Sequence, residues 1–273
     1  MSDQELPLVG GDVTDGLVRV GNTVRRPRQG HSKSVAAYLR HLQAVGFTAA
    51  PRHLGVDVQG RDILDYIDGD VPSSEPEAWS TTDHVLVEIA RFLRRLHDAS
   101  SGFVAPPGAR WFGDDIRVLD MPTQLEILFD IPELVTHCDV TPQNVVFRQG
   151  VPVGIIDFDL TRPTTRLLDV INTAMHWVPL TDPDDRAEPL ASVDAPARLR
   201  AFVTAYGLSA NERSRFLDLA NRAAQRSWHR MRANSEQLGG GWRHLWDEGV
   251  GDRILRRRDW LTAERVVLEH ALR

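Results

Sequence analysis

The sequence predicts an α+β chain: a small antiparallel sheet with one helix, then a larger, mainly helical body. Three observations carry that reading. Residues 17–67 hold short strand-like runs around a single helical stretch. A Pro/Ser/Glu-rich piece at about 68–78 then changes the texture and reads as a linker. Beyond it, long stretches follow a helical period, interrupted over 134–160 by short apolar strand pieces.

Each element has a local reason. Residues 17–20 (Leu-Val-Arg-Val) read as a strand, Gly21-Asn22 as its hairpin turn, and Thr23 to Arg26 as the returning strand that Pro27 stops. In residues 32–45, Val35, Tyr38, Leu39, Leu42 and Val45 recur at helical spacing, with Ser32 or Ser34 as cap and Gly46 as terminator. Residues 53–57 and 63–67 read as two strands with Gln59-Gly60 at their turn. Residues 82–98 place Val85, Ile89, Phe92, Leu93 and Leu96 on one helical face. A Gly/Pro-rich loop covers 101–115, strand pieces fall at 134–135, 145–147 and 153–156, and helices are expected at about 165–177, 195–206, 210–233 and 259–272.

Composition excludes several classes of function. The 273 residues are 42% hydrophobic, an ordinary globular balance once the 20 glycines are added. No stretch approaches 18 consecutive apolar residues, so no membrane helix is expected. The net charge of −6 disfavours a general nucleic-acid binder. The acidic start lacks the pattern of a secretory signal. Cys138 is the single cysteine, which excludes an internal disulfide and a cysteine-based metal cluster. Cytoplasm is therefore the expected compartment. Lys33 is the single lysine, and the other 31 basic residues are arginines.

The most informative stretch is His137-Cys-Asp-Val-Thr-Pro-Gln-Asn144, followed by Ile155-Ile-Asp157-Phe158-Asp159. From composition alone, about 0.02 accidental matches to the spacing H-x-D-x4-N are expected. Phosphoryl transfer to a hydroxyl needs a carboxylate near the acceptor proton and oxygen ligands for Mg²⁺ on the nucleotide phosphates. Asp139 fits the first role, and Asn144 and Asp157 fit the second. His137 fits a brace of the loop better than a base.

With these residues in view, most of the chain resembles the aminoglycoside phosphotransferase family, within the protein-kinase-like superfamily. Residues 18–27 resemble its second and third strands, and Leu39 to Phe47 with Pro51 its first helix and the following turn. Residues 64–69 resemble its interlobe hinge, residues 92–97 a core helix of the larger lobe, and Leu167-Leu-Asp169-Val a downstream aspartate that braces the catalytic loop. The resemblance implies a bilobal kinase-like fold, with an N-lobe of residues 1–68 and a C-lobe of residues 69–273. It implies ATP or GTP in the cleft, the adenine or guanine against Tyr66 and Ile67, and the phosphates toward Arg26 and a hairpin carrying Gly10 and Gly11. The partners implied are a nucleoside triphosphate and a small hydroxyl-bearing substrate.

Two departures stand out. Arg26 occupies the strand position where the family carries a lysine, and the two cations differ in how they hold phosphate. Residues 31–46 contain no Asp or Glu, so the usual ion pair is absent or an acid from elsewhere supplies it. These departures motivate an alternative, a pseudokinase that binds a nucleotide or a protein without turnover. A kinase of another small metabolite is the other alternative. Asp247 and Glu248, beside Trp242 and Trp246, are candidates for contacting a cationic acceptor. The acids of 182–188 read as a charged surface loop, Cys138 as a buried small apolar group, His97 as a core histidine and Asp169 as a helix cap. Arg256-Arg-Arg258 reads as a solvated helix face.

Overall fold

The computed structural model describes residues 4–8, 16–129 and 131–273. Gly10 and Gly11 therefore lie outside the described residues. The N-terminal sheet is antiparallel, in the order β1-β2-β3-β5-β4: β1 is Leu6–Pro7, β2 Val18–Val20, β3 Thr23–Arg26, β4 His53–Val56 and β5 Asp62–Asp65. The predicted Gly21-Asn22 turn joins β2 to β3, with Val20 opposite Thr23. Helix α1 (Ser32–Ala44) packs on this sheet and ends at Gly46, whose φ is +83°. Neither serine caps it. Ser32 Oγ accepts from the Gln29 amide and Ser34 Oγ from the Arg110 amide, so both tie α1 to loops instead.

The chain crosses into the second half at residues 66–70. Asp70 and Phe147 exchange both backbone hydrogen bonds, at 2.9 and 2.7 Å. They join this crossing to β7 (Val145–Arg148), which pairs with β8 (Val151–Ile155). The approach is close enough to require glycine. A Cβ on Gly69 would lie 2.5 Å from the Phe147 carbonyl oxygen, and one on Gly154 would lie 2.7 Å from Ile67 Cγ2.

The larger half is built on α2 (Asp83–Ser100), capped by the Thr82 side chain. Its predicted face is realised: Val85, Ile89, Phe92, Leu93 and Leu96 are all buried, and Leu86 joins them. A short helix, α3 (Thr123–Glu126), precedes β6 (Leu134–Thr136), which pairs with β9 (Arg162–Thr164). Then follow α4 (Arg166–Trp177), α5 (Ala195–Tyr206), the long α6 (Ala210–Gln237), α7 (Gly240–Asp247), α8 (Val250–Ala263) and α9 (Arg265–Leu272). Strand β9 and helices α3 and α7 were not anticipated. Arg162-Pro-Thr lacks an apolar alternation and is a strand only because β6 pairs with it. Helix α7 starts within Gly239-Gly240-Gly241, which reads locally as a turn. The last predicted helix is two, α8 starting earlier and breaking into α9 at Glu264. Among the described residues, no helix is long and apolar enough to cross a membrane.

Candidate active site

The site grows from two turns that follow strands. After β6 the backbone reverses at Cys138, whose φ is +62°, a left-handed conformation rare for a residue with a side chain. After β8 it reverses again at Asp157, with φ +59°. Both turns are held from below. Trp177 Nε1 of α4 donates to the Val140 carbonyl at 2.7 Å. Phe158 is buried, with the His137 ring edge-on to it at 4.6 Å.

His137 links the two turns. The Asp139 amide donates to His137 Nδ1 at 3.2 Å, so that nitrogen is the acceptor. Nε2–H then donates to the Ile156 carbonyl at 2.8 Å. Burial lowers the imidazole pKa, which favours this neutral tautomer. Both ring nitrogens are therefore committed to backbone positions.

Asn144 closes the loop onto Asp139. Its Nδ2 donates to Asp139 Oδ2 at 2.8 Å and to the Asp139 carbonyl at 2.9 Å. Its own carbonyl accepts from the Ile156 amide at 2.9 Å. Asp139, Asn144 and the residue preceding Asp157 are thus one hydrogen-bonded unit. Burial pushes the Asp139 carboxyl up to about 7; the neighbouring Asp157 charge adds to this, while the Asn144 hydrogen bond and Arg162 oppose it.

The donor set suits a hard cation. With Nδ2 turned to Asp139, Asn144 Oδ1 carries no hydrogen bond among the described residues, and neither does Asp157 Oδ2. Among those residues, no group of three or more His, Cys, Asp or Glu side chains could hold a metal alone. Two oxygen ligands are what a magnesium ion takes from a protein when phosphates and water complete its octahedron.

Arg26, in β3, is buried and directed at this site. Its Nη2 donates to Asp157 Oδ1 at 2.9 Å and pairs with Asp159 Oδ2. The acid that α1 lacks is thereby supplied by the Asp157-Phe-Asp159 turn. Burial opposes the guanidinium charge, but the two carboxylates outweigh it and raise its pKa. His31 Nε2 lies 3.9 Å from Asp159 Oδ1. Lys33, in the first turn of α1, is exposed.

The other predicted residues fall elsewhere. The Tyr66 ring lies under the Arg19 guanidinium at 3.7 Å, and the Tyr66 amide donates to Asn22. Ile67 packs on Gly154. Asp169 does not cap α4: Thr165 does, accepting from the Leu168 amide. Asp169 is instead inside that helix, fully buried, and its Oδ2 bonds His97 Nε2 at 2.9 Å, not the loop of 137–144. His97 Nδ1 meets the Tyr206 hydroxyl at 2.7 Å, so His97 is a satisfied core histidine. Asp247 accepts from Arg243 at 2.9 Å and Glu248 lies 3.3 Å from His244. Both acids are about half exposed and spent on their own helix. Among the described residues, no hydrogen bond or ion pair links them to residues 137–159. Arg257 departs from a solvated face. It lines a cavity of about 180 Å³ beside Pro142 and Gln143, and its Nε is buried without a partner.

Three arginines went unnoticed in the sequence. Arg162 opens β9, its Cα opposite Thr136, three residues before Asp139. Arg226 and Arg230 lie one turn apart on α6 and are half-buried. A spacing of four on a helix rich in arginine resembles a solvated face, and nothing in the sequence distinguishes it.

Comparison with known proteins agrees with this architecture. The profile of the APH phosphotransferase enzyme family matches residues 117–233. The trifolitoxin immunity protein of Rhizobium leguminosarum bv. trifolii is 33% identical over 224 residues, covering 79% of each chain. Among solved structures, a choline/ethanolamine kinase family protein from Mesorhizobium loti superposes with a TM-score of 0.63 at 17% identity, covering 99% of this chain and 92% of that one. An amicoumacin kinase, solved with AMP-PNP, Ca²⁺ and its antibiotic, gives 0.60 at 11% identity, covering 97% and 89%. These two likenesses carry the fold, which is bilobal and protein-kinase-like. The shared fold, the matched profile and the extended identity to the immunity protein together place this chain in the aminoglycoside phosphotransferase family.

Proposed function

We propose that the protein is a small-molecule kinase that transfers the γ-phosphoryl group of ATP or GTP to a substrate hydroxyl. The observation that carries this reading is the hydrogen-bonded unit joining Asp139 to Asn144 and to the turn that bears Asp157. In this reading residues 1–68 form the nucleotide lobe and residues 69–273 the catalytic lobe. The base lies against Tyr66 and Ile67, and Arg26 faces the phosphates. That an amicoumacin kinase of this fold was solved with a nucleotide analogue and a divalent cation supports the cofactor class.

Asn144 and Asp157 would hold Mg²⁺, which when bound neutralises charge on the nucleotide phosphates. Asp139 orients the acceptor hydroxyl and takes its proton. The acceptor oxygen bonds to the γ-phosphorus as the bond to the β-phosphate oxygen breaks, and the nucleoside diphosphate leaves. The Asn144 amide holds the Asp139 carboxylate in place through Oδ2, leaving Oδ1 for the acceptor. His137 holds the loop without donating or accepting the transferred proton. Positioning supplies more of the rate than proton removal, because phosphoryl transfer leaves little covalent work for the protein.

Thermal melts with and without Mg·ATP and Mg·GTP test the site. A nucleotide at 100 times its Kd adds about 2.7 kcal/mol to wild type, and Asp157→Ala should abolish that gain. Asp139→Asn should keep the gain and lose about 10²–10⁴-fold in nucleoside diphosphate release. An equal gain in Asp157→Ala, or undiminished release by Asp139→Asn, overturns the assignment. A nucleotide-binding module without turnover is the second reading, because Arg26 already occupies one oxygen of Asp157. Melting shifts without diphosphate release across an acceptor panel would favour it.

A further inference from the structure

Arg226 and Arg230 share one face of α6, four residues apart, where side chains are neighbours. Both are half-buried, and among the described residues neither guanidinium has a hydrogen bond or an ion pair. Of the other arginines of α6, Arg215 is exposed, and Arg213, Arg222 and Arg232 are engaged. Arg222 donates to the Gln124 and Ile127 carbonyls at 2.8 and 3.0 Å, and Arg232 pairs with Glu236 at 2.9 Å. Arg230 lies on the backbone of the 110–117 loop, so close that a Cβ on Gly113 would be 2.6 Å from its Nη2. The next residue back, Phe112, stacks on Trp242 at 5.4 Å and meets the His31 ring at 6.1 Å. His31 in turn faces Asp159. A chain of contacts thus runs from Arg230 through Phe112 and His31 to Asp159.

Arg162 lies on the strand paired with β6, which leads into Asp139. It shares its strand pairing with the run into Asp139, and Cys138 Sγ contacts its carbonyl at 3.8 Å. Its guanidinium makes one long contact, 3.4 Å to the Leu160 carbonyl in its own turn. Burial lowers the pKa of Arg226, and Arg230 and Arg162 lower it further by repulsion. Burial and Arg162 do the same to Arg230, with Asp114 the opposing charge. Asp114 Oδ2 is itself engaged by the Trp111 amide at 2.8 Å. Like charges held together and part-desolvated, with one acid set against them, destabilise a fold unless an anion arrives to pair them.

We infer that the acceptor carries an anionic group, a carboxylate or a phosphate, beside the hydroxyl that is phosphorylated, and that Arg226 and Arg230 clamp it, with Arg162 adding positive charge. The two guanidinium forks suit a planar or tetrahedral oxyanion bound through paired N–H groups. This differs from the expectation of a cationic acceptor drawn to Asp247 and Glu248; Asp247 pairs with Arg243, and Glu248 lies beside His244. The inference rests on the phosphoryl-transfer reading above.

The test uses the full chain, with melts at matched ionic strength in inorganic phosphate, in glycolate and in ethanolamine. Wild type should rise in melting temperature with the two anions and not with the amine. The double variant Arg226→Gln/Arg230→Gln should lose at least about thirtyfold in affinity for both anions. It should melt no lower than wild type in their absence, because it sheds unpaired charge. Arg232→Gln, on the same helix, should keep the anion response. All three proteins should retain the Mg·nucleotide shift. No anion shift in wild type, an equal shift in the double variant, or a larger shift with ethanolamine overturns the inference while leaving the kinase reading intact. Loss of the nucleotide shift in the double variant also overturns it, because the arginines then serve the nucleotide. Anion shifts without any nucleotide shift in wild type overturn the acceptor assignment and the kinase reading together.

Discussion

At Arg26 one guanidinium answers two carboxylates that the sequence lists 131 and 133 residues later. The pairing has a pH signature at Asp159. Burial raises that carboxyl, but His31 and Arg26 outweigh it and bring the pKa down to about 2 from an ordinary 3.8. A carboxyl held lower in the folded chain adds stability above its unfolded pKa and loses it as pH falls through the folded one. The contribution is therefore complete above about pH 5 and fades between about pH 4 and pH 2, by about 2 kcal/mol. Denaturant titrations at pH 5.5 and pH 2.5 should show the acid loss reduced by about that amount in Asp159→Asn. Equal acid sensitivity in the variant would show that the pair contributes nothing. Arg26 was legible as the cation of its strand, and its lack of an acid on α1 was legible too. What replaced that acid was not, because no local pattern marks a contact made across the whole cleft.

The elements that matter most to the cleft are the crossing at 66–70 and the β7–β8 hairpin it joins. Two glycines set how closely they meet, and their obstacles differ in kind. A methyl on Gly69 meets a backbone carbonyl at 2.5 Å, at a φ of +152°. A methyl on Gly154 meets the tip of Ile67, which can rotate. Gly69→Ala should thus cost about 3 kcal/mol and Gly154→Ala about 1 kcal/mol. Melting temperatures in that order support the backbone contact as the rigid part of the crossing; the reverse order would assign rigidity to the Ile67 side chain. Most elements were legible from period alone: the β2–β3 hairpin, α1, β4, β5, α2 and α4 to α6 lie where alternation or a 3.6-residue repeat puts them. β9 and α7 escaped because pairing and packing created them, against a proline in one and three glycines in the other.

Across the whole molecule, α2, α4 and α5 meet at one buried chain of polar contacts, from Asp169 through His97 to Tyr206. Removing its carboxylate leaves the His97 ring nitrogen unpaired in the core. Asp169→Ala should lower the stability of unfolding by about 3 kcal/mol or more. It should keep the Mg·nucleotide response at temperatures where the variant is folded. Loss of that response in a folded variant would mean that Asp169 braces the catalytic loop directly. The loop itself was readable because three chemically distinct residues fall at a spacing that chance seldom supplies. Arg226 and Arg230 were not, since only the tertiary arrangement reveals that neither makes a hydrogen bond or ion pair among the described residues.

The replacement of lysine by arginine also decides how this cleft responds to covalent probes. Under the proposed kinase reading, a nucleotide analogue carrying an electrophile for amines meets Arg26, a guanidinium that stays protonated and is not acylated under mild conditions. Lys33, the single lysine, is exposed at the start of α1, outside the ion pair that Arg26 makes. Among side chains, amine chemistry reports on the surface of one helix, and an unlabelled cleft says nothing about whether a nucleotide was there.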